Sequence, residues 1–181
     1  MNYISIYLFL CVVGFQAHAQ KYQTEKTKVV FFSEAMIENI TAVNTKAVGI
    51  VDIERSQVAF SVPIIDFQFE KSLMQEHFNE KYMETEKYPK ATFQGTIQNL
   101  DPKAKEVQKV IARGEMNIHG VEKEVEIPGE LTLLKGGEMT IKAVFPVRLE
   151  DYNIEIPQLL WNNIAEEVEV TLEFQLKSMS K

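Results

Sequence analysis

Apolar and polar side chains alternate with a period of two through most of the chain from Lys28 onward, which predicts strands rather than helices. Lys28 to Ser33 (KVVFFS) is β-branched and aromatic and predicts a first strand after a polar start, while Ala35 to Thr45 has no clear period and predicts a loop. Lys46 to Ile53 and Gln57 to Phe69 predict a hairpin turning at Glu54-Arg55-Ser56. In the second of these strands the apolar phase changes from Val58, Phe60 and Val62 to Ile65, Phe67 and Phe69. A slip of one residue sends every side chain to the other face, so a bulge is expected at Pro63 and Ile64. Further strands follow at Ala91 to Asn99, Val107 to Ile118, Val121 to Ile127, Leu131 to Leu133, Met139 to Leu149 and Val168 to Lys177. Asp101-Pro102, His119-Gly120, Pro128-Gly129 and Lys135-Gly136-Gly137 punctuate them.

One stretch changes period. Leu73, Met74, His77, Phe78 and Tyr82 recur at helical spacing, with Glu76, Asn79 and Glu80 on the opposite face. Ser72 and Gln75 stand three apart, as N-cap and N3 do in a capping box, and Pro89 is expected to stop the helix before the next strand. Tyr152 to Ala165, with Pro157, Leu159, Leu160, Trp161 and Ile164, fits either a short helix or an ordered loop. About eight strands with one-sided apolar faces, hairpin-length links and little helix predict an all-β fold, either an antiparallel β-barrel or a sandwich. The barrel is preferred because closure removes exposed edges. An eight-stranded barrel has room for packed side chains or for one small ligand, and periodicity does not decide between them.

Composition narrows the setting. Residues 1–19 contain an apolar run, Ile4 to Phe15, too short to span a bilayer as a helix, followed by Ala17-His18-Ala19, which has the small-x-small form of a cleavage site. A signal peptide removed after Ala19 is therefore expected, leaving 20–181 as a single exported domain, periplasmic or secreted. The only cysteine, Cys11, leaves with that leader, so neither a disulfide nor a thiolate metal site is expected in the mature chain. The net charge of −7 lies wholly outside the leader and argues against nucleic acid or an anionic membrane surface as partner. No other segment is long and apolar enough for a membrane span.

Candidate chemistry is sparse. No nucleophile elbow, P-loop, dinucleotide-binding glycine pattern or HExxH array occurs, so no catalytic residue, metal or cofactor is expected. Glu122, Glu124 and Glu126 read as the water-facing side of a strand. His119 precedes a turn glycine and reads as structural. His77 reads either as a hydrogen-bonded residue at a helix–barrel seam or as a contact to a ligand's polar group. Phe60, Phe67, Phe69, Phe78, Phe93 and Phe145 form an aromatic set larger than an ordinary core requires. Arg113, Asn117 and Asn162 are candidates for a polar end of a cavity.

His77-Phe78, Tyr88-Pro89-Lys90-Ala91-Thr92-Phe93 and Ile118-His119-Gly120-Val121 together resemble the YceI-like family of exported bacterial proteins, over a span from about Phe31 to Leu176. Phe78 departs from the leucine that many relatives carry. The resemblance implies a lipocalin-like antiparallel barrel with a short helix between strands, whose apolar tunnel holds a polyisoprenoid, quinone-like or fatty-acyl lipid. It implies a carrier or sequestering protein rather than an enzyme, with monomer and homodimer both open. The tunnel is then expected to be lined by Phe60, Phe67, Phe69, Leu73, Met74, Phe78, Tyr82, Phe93, Met116, Ile118, Met139, Ile141, Phe145 and Trp161, with His77 near the head group. Two rival readings are an envelope enzyme using His77 as acid or base on a bound isoprenoid, and an acidic protein-interaction module.

Overall fold

The structure, a computed structural model, describes residues 20–34, 38–156 and 165–179. The expected signal peptide, and with it Cys11, lies outside the described residues, as do Pro157 to Ile164 with Trp161 and Asn162.

Ten strands form one antiparallel sheet: β1 (Lys21–Ser33), β2 (Ile40–Asn44), β3 (Val48–Asp52), β4 (Gln57–Pro63), β5 (Gln68–Phe69), β6 (Lys90–Gln98), β7 (Gln108–Ile118), β8 (Val121–Leu134), β9 (Glu138–Arg148) and β10 (Glu167–Ser178). Pairing of β1 with β10 closes the sheet, so the alternation read from sequence becomes an inside and an outside with no long free edge. The barrel has eight strand positions because two are shared. β2 and β3 lie in succession along one edge of β1, opposite Val29–Ser33 and Lys21–Gln23 respectively. β4 and β5 likewise lie in succession along β3 and β2. This is the all-β antiparallel barrel that the pattern favours over a sandwich, in the lipocalin-like form that the family resemblance implies.

Four local expectations are corrected. β1 begins at Lys21, seven residues earlier than predicted, because a register shift between Thr24 and Lys26 breaks the period and Thr27 occupies an inward position. The hydroxyl of Thr27 donates to the carbonyl of Ala47 at 3.1 Å, which satisfies it inside the wall. The segment read as a loop between residues 35 and 45 contains β2, whose five residues are too few to show a period. At Pro63 and Ile64 the chain makes a 3₁₀ turn, Ile64–Asp66, rather than a bulge, turning Ile64 inward and leaving Ile65 58% exposed. Finally, β8 runs unbroken through Pro128-Gly129, but it pairs with β9 only from Gly129 onward, so the proline sits where that ladder ends.

The links divide cleanly between the two ends of the barrel. Ile53–Ser56, Asn99–Val107 and Lys135–Gly137 close one end by short turns. Beneath them Tyr22, Val51, Ile53, Met139 and Leu176 are almost fully buried and plug the interior. At the other end lie the β1–β2 link, the long segment between β4 and β6, the His119-Gly120 turn and the β9–β10 link.

Candidate functional site

The segment between β4 and β6 builds a cover over that second end. Its helix, α1 (Ser72–His77), continues into a π-turn over Phe78–Tyr82, in which the Met83 amide donates to the Phe78 carbonyl five residues back at 2.9 Å. The wider turn brings both Phe78 and Met83 to the inner side, with Met74, His77 and Tyr82. The expected capping box does not form: Lys71 is the N-cap residue, and the Gln75 side chain instead accepts from the Phe69 amide at 3.4 Å, tying the helix to β5. Nor does Pro89 stop the helix. The helical turns end by Met83, and Glu84 adopts the left-handed conformation (φ 41°) that redirects the chain.

The cover is fastened on both sides. On one, the Asn44 amide donates to the Pro63 carbonyl at 2.7 Å, and the Ile64 amide donates to the Pro89 carbonyl at 2.9 Å. On the other, His119 serves as the anchor. Its Nδ1 lies 3.1 Å from the Tyr152 carbonyl, which can only accept, so Nδ1–H donates there; its Nε2 lies 3.1 Å from a Glu84 carboxylate oxygen. The imidazole also meets the Tyr88 ring edge-on, with centroids 4.4 Å apart. Gly120, at φ 75°, passes so close to Tyr88 that a Cβ there would lie 2.4 Å from the ring. The structural reading of His119 therefore holds, and the Tyr-Pro and His-Gly motifs, remote in sequence, are in contact.

Between cover and plug lies a cavity of about 430 Å³, within the range typical of ligand sites. Its wall is almost wholly hydrocarbon. Phe31, Phe67, Phe69 and Phe78 cluster on one side, with centroids 4.9 to 5.8 Å apart, and Phe60 against Phe174 (4.8 Å) lies deeper. Ala91, Ala112, Gly129 and Ala143, on β6 to β9, are small inward positions that leave the space open. Among the described residues Ser33, Glu38, His77, Thr92 and the Tyr82 hydroxyl are the polar contributors. Ser33 is buried and its hydroxyl accepts from the Ala165 amide at 2.9 Å. Glu38 is exposed yet lines the cavity, which places the mouth beside it, and its carboxylate pairs with Lys71 Nζ at 2.7 Å. The His77 side chain makes no hydrogen bond to a described residue. Burial pushes the Tyr82 phenol above its ordinary pKa, so at neutral pH it stays an uncharged donor at the mouth.

Of the residues expected to line a tunnel, Phe60, Phe67, Phe69, Met74, Phe78, Tyr82, Phe93, Met116, Ile118, Ile141 and Phe145 do so, together with His77. Leu73 does not: it points outward, 59% exposed, because the helix turns Met74 rather than its neighbour toward the barrel. Met139 is fully buried but belongs to the plug below the cavity. Trp161 lies outside the described residues. Arg113 and Asn117 mark no polar cavity end; they face outward, where Arg113 pairs with Glu124 (3.0 Å) and Glu126 (3.6 Å), and Asn117 donates to Glu122 (3.2 Å). The carboxylate row thus belongs to a solvated face. Phe31 and Val170 are lining residues that sequence reasoning missed; Phe31-Phe32 is an apolar pair in which only the register of β1 reveals which ring turns inward. Among the described residues no group of three or more His, Cys, Asp or Glu side chains could hold a metal ion, and no helix is long and apolar enough to cross a membrane.

This arrangement of barrel, cover and motif contacts agrees with what comparison of the sequence finds, since the profile of the YceI-like domain matches residues 21–176. The chain belongs to the YceI-like domain family. Solved structures show the same fold at low identity. A polyisoprenoid binding domain from Saccharophagus degradans is 14% identical and superposes with a TM-score of 0.75, covering 87% of this chain and 98% of that one. Burkholderia cenocepacia BcnA is 18% identical with a TM-score of 0.68, covering 82% and 95%. The Campylobacter jejuni YceI protein is 13% identical with a TM-score of 0.54, covering the whole of both chains. Comparison with curated proteins gave no match.

Proposed function

We propose that this YceI-like protein is exported and binds an amphiphile with an apolar chain, carrying or sequestering it without chemical change. The observation that carries the proposal is the cavity of about 430 Å³, hydrocarbon-walled, plugged at one end and bordered by polar groups at the other. Each methylene moved from water into such a wall contributes about 0.8 kcal/mol, so affinity depends on unobstructed apolar length more than on any one contact. The polyisoprenoid-binding relative supports an isoprenoid chain, and a quinone-like or fatty-acyl chain meets the same wall equally well. An enzymatic role for His77 gains no support, because no carboxylate or backbone group among the described residues orients its ring as a general base requires.

Native mass spectrometry of protein purified from its own envelope, followed by solvent extraction, tests this directly. A stoichiometric apolar-chain lipid is expected. Phe93 faces the cavity beside Phe60, so Phe93→Glu should abolish lipid recovery, whereas Glu124→Gln, on the outer face, should leave it unchanged. Equal recovery from the two variants would overturn the proposal.

A further inference from the structure

Charge is distributed unequally between the ends of the barrel. The described link residues at the cavity end, 34, 38–39, 64–89, 149–156 and 165–166, contain twelve Asp or Glu and three Lys, whereas those at the plugged end, 53–56, 99–107 and 135–137, contain three acidic and four basic residues. Residues 35–37 and 157–164 contain no Asp, Glu, Lys or Arg. The asymmetry continues into the site: among the described residues Glu38 lines the cavity, and no Lys or Arg does. Of the three lysines in those links, Lys71 is already paired with Glu38, Lys87 lies over the Tyr88 ring at 4.7 Å, and Lys81 is exposed and does not line the cavity. Among the described residues, the polar groups left to meet a head group are the Tyr82 hydroxyl, the His77 imidazole and the Thr92 hydroxyl, with Glu38 as acceptor.

A phosphate in this cavity would meet no guanidinium or ammonium group among the described lining residues and would stand in the field of a carboxylate-rich rim. A hydroxyl or carbonyl head group would find both donors and acceptors. Resting on the carrier reading above, we propose that the cavity selects amphiphiles with an uncharged hydrogen-bonding head group and discriminates against a phosphate or pyrophosphate on the same chain.

The test compares farnesol with farnesyl pyrophosphate, which share one chain, by calorimetric titration of the delipidated full-length mature protein. Farnesol should bind at least tenfold more tightly at low salt. The difference should shrink as salt is raised, because the Debye length falls from about 30 Å at 0.01 M to about 10 Å at 0.1 M. Glu38→Lys should shift the ratio toward the pyrophosphate by fivefold or more. If that variant does not fold, the salt series on the unaltered protein decides alone. Pyrophosphate binding as tightly as farnesol at low salt, with a salt-independent ratio, overturns the selectivity and leaves the carrier reading standing. Binding of neither compound overturns the carrier reading and the selectivity with it.

Discussion

The two halves of the barrel share one alternating pattern and use it in opposite ways. At the plugged end Ile53, Met139 and Leu176 are large and almost completely removed from solvent, belong to one apolar cluster, and Met139 and Leu176 stand side by side on paired strands. At the cavity end the inward positions of β6 to β9 include Ala91, Ala112, Gly129 and Ala143, while the bulky rings of Phe31, Phe67, Phe69 and Phe78 contact one another instead of crossing the lumen. A hollow site therefore needs no special residue type. It arises where small residues on one wall face an aromatic cluster that is satisfied by itself.

The largest effect that would break this contrast is expected at the plug. Met139→Ala should destabilise by about 2–5 kcal/mol, since the surrounding side chains cannot collapse into the gap, and urea denaturation would measure it. Ile141→Ala, two residues along the same strand but on the cavity wall, should cost distinctly less because space already exists beside it. Equal losses would mean that the two halves are packed alike.

Loss of the anchor comes next. His119→Ala removes the contacts to Tyr152 and Glu84 and the ring packing on Tyr88, and should cost about 1–3 kcal/mol. Ligand dissociation should also accelerate, since the cover loses one of its two fastenings; stopped-flow release of a bound fluorescent fatty acid would show it. Ala143→Phe fills the lumen opposite Gly129 and should lower lipid occupancy on purification by about tenfold, or roughly 1.4 kcal/mol, with little loss of thermal stability. That variant would turn a hollow half into a packed one.

The smallest effect is on pH dependence and touches both ends. Burial raises the phenol pKa of Tyr22 in the plug and of Tyr82 at the mouth, and that of Tyr152 is raised by burial and then by the negative charge of Asp151. A raised acid pKa means that the folded state holds the proton more tightly than the unfolded one. Its contribution is complete below the unfolded value of 10.0 and is lost as pH rises through the folded value. Stability should thus decline above about pH 10, and Tyr22→Phe should blunt the decline in an alkaline denaturation series.

Much of this was legible in the chain. The strand read from Val168 to Lys177 has the one-sided apolar face expected of it, with Val168, Val170, Leu172, Phe174 and Leu176 inward, and Glu122, Glu124 and Glu126 are read as solvated and are. The errors have physical causes. Thr24 and Thr27 hide the start of β1 because their hydroxyls are satisfied within the wall, so an inward position carries a polar residue. Leu73 and Met74 are adjacent on a short helix, and only its docking decides which faces the lumen. The Gln75 side chain, placed where a capping box would use it, is claimed by the Phe69 amide instead.

The sequence by itself determined the inside and outside of each long strand, because period-two alternation fixes the face once the backbone is extended. It also marked the two motifs that join the cover to the barrel. Only the tertiary structure decided which inward residues meet and which surround empty space, since Met139 and Ile141 share one face of one strand and differ only in what lies across the lumen. Burial is a property of a residue's partners in three dimensions, and the alternation along a strand names the side without naming the partner.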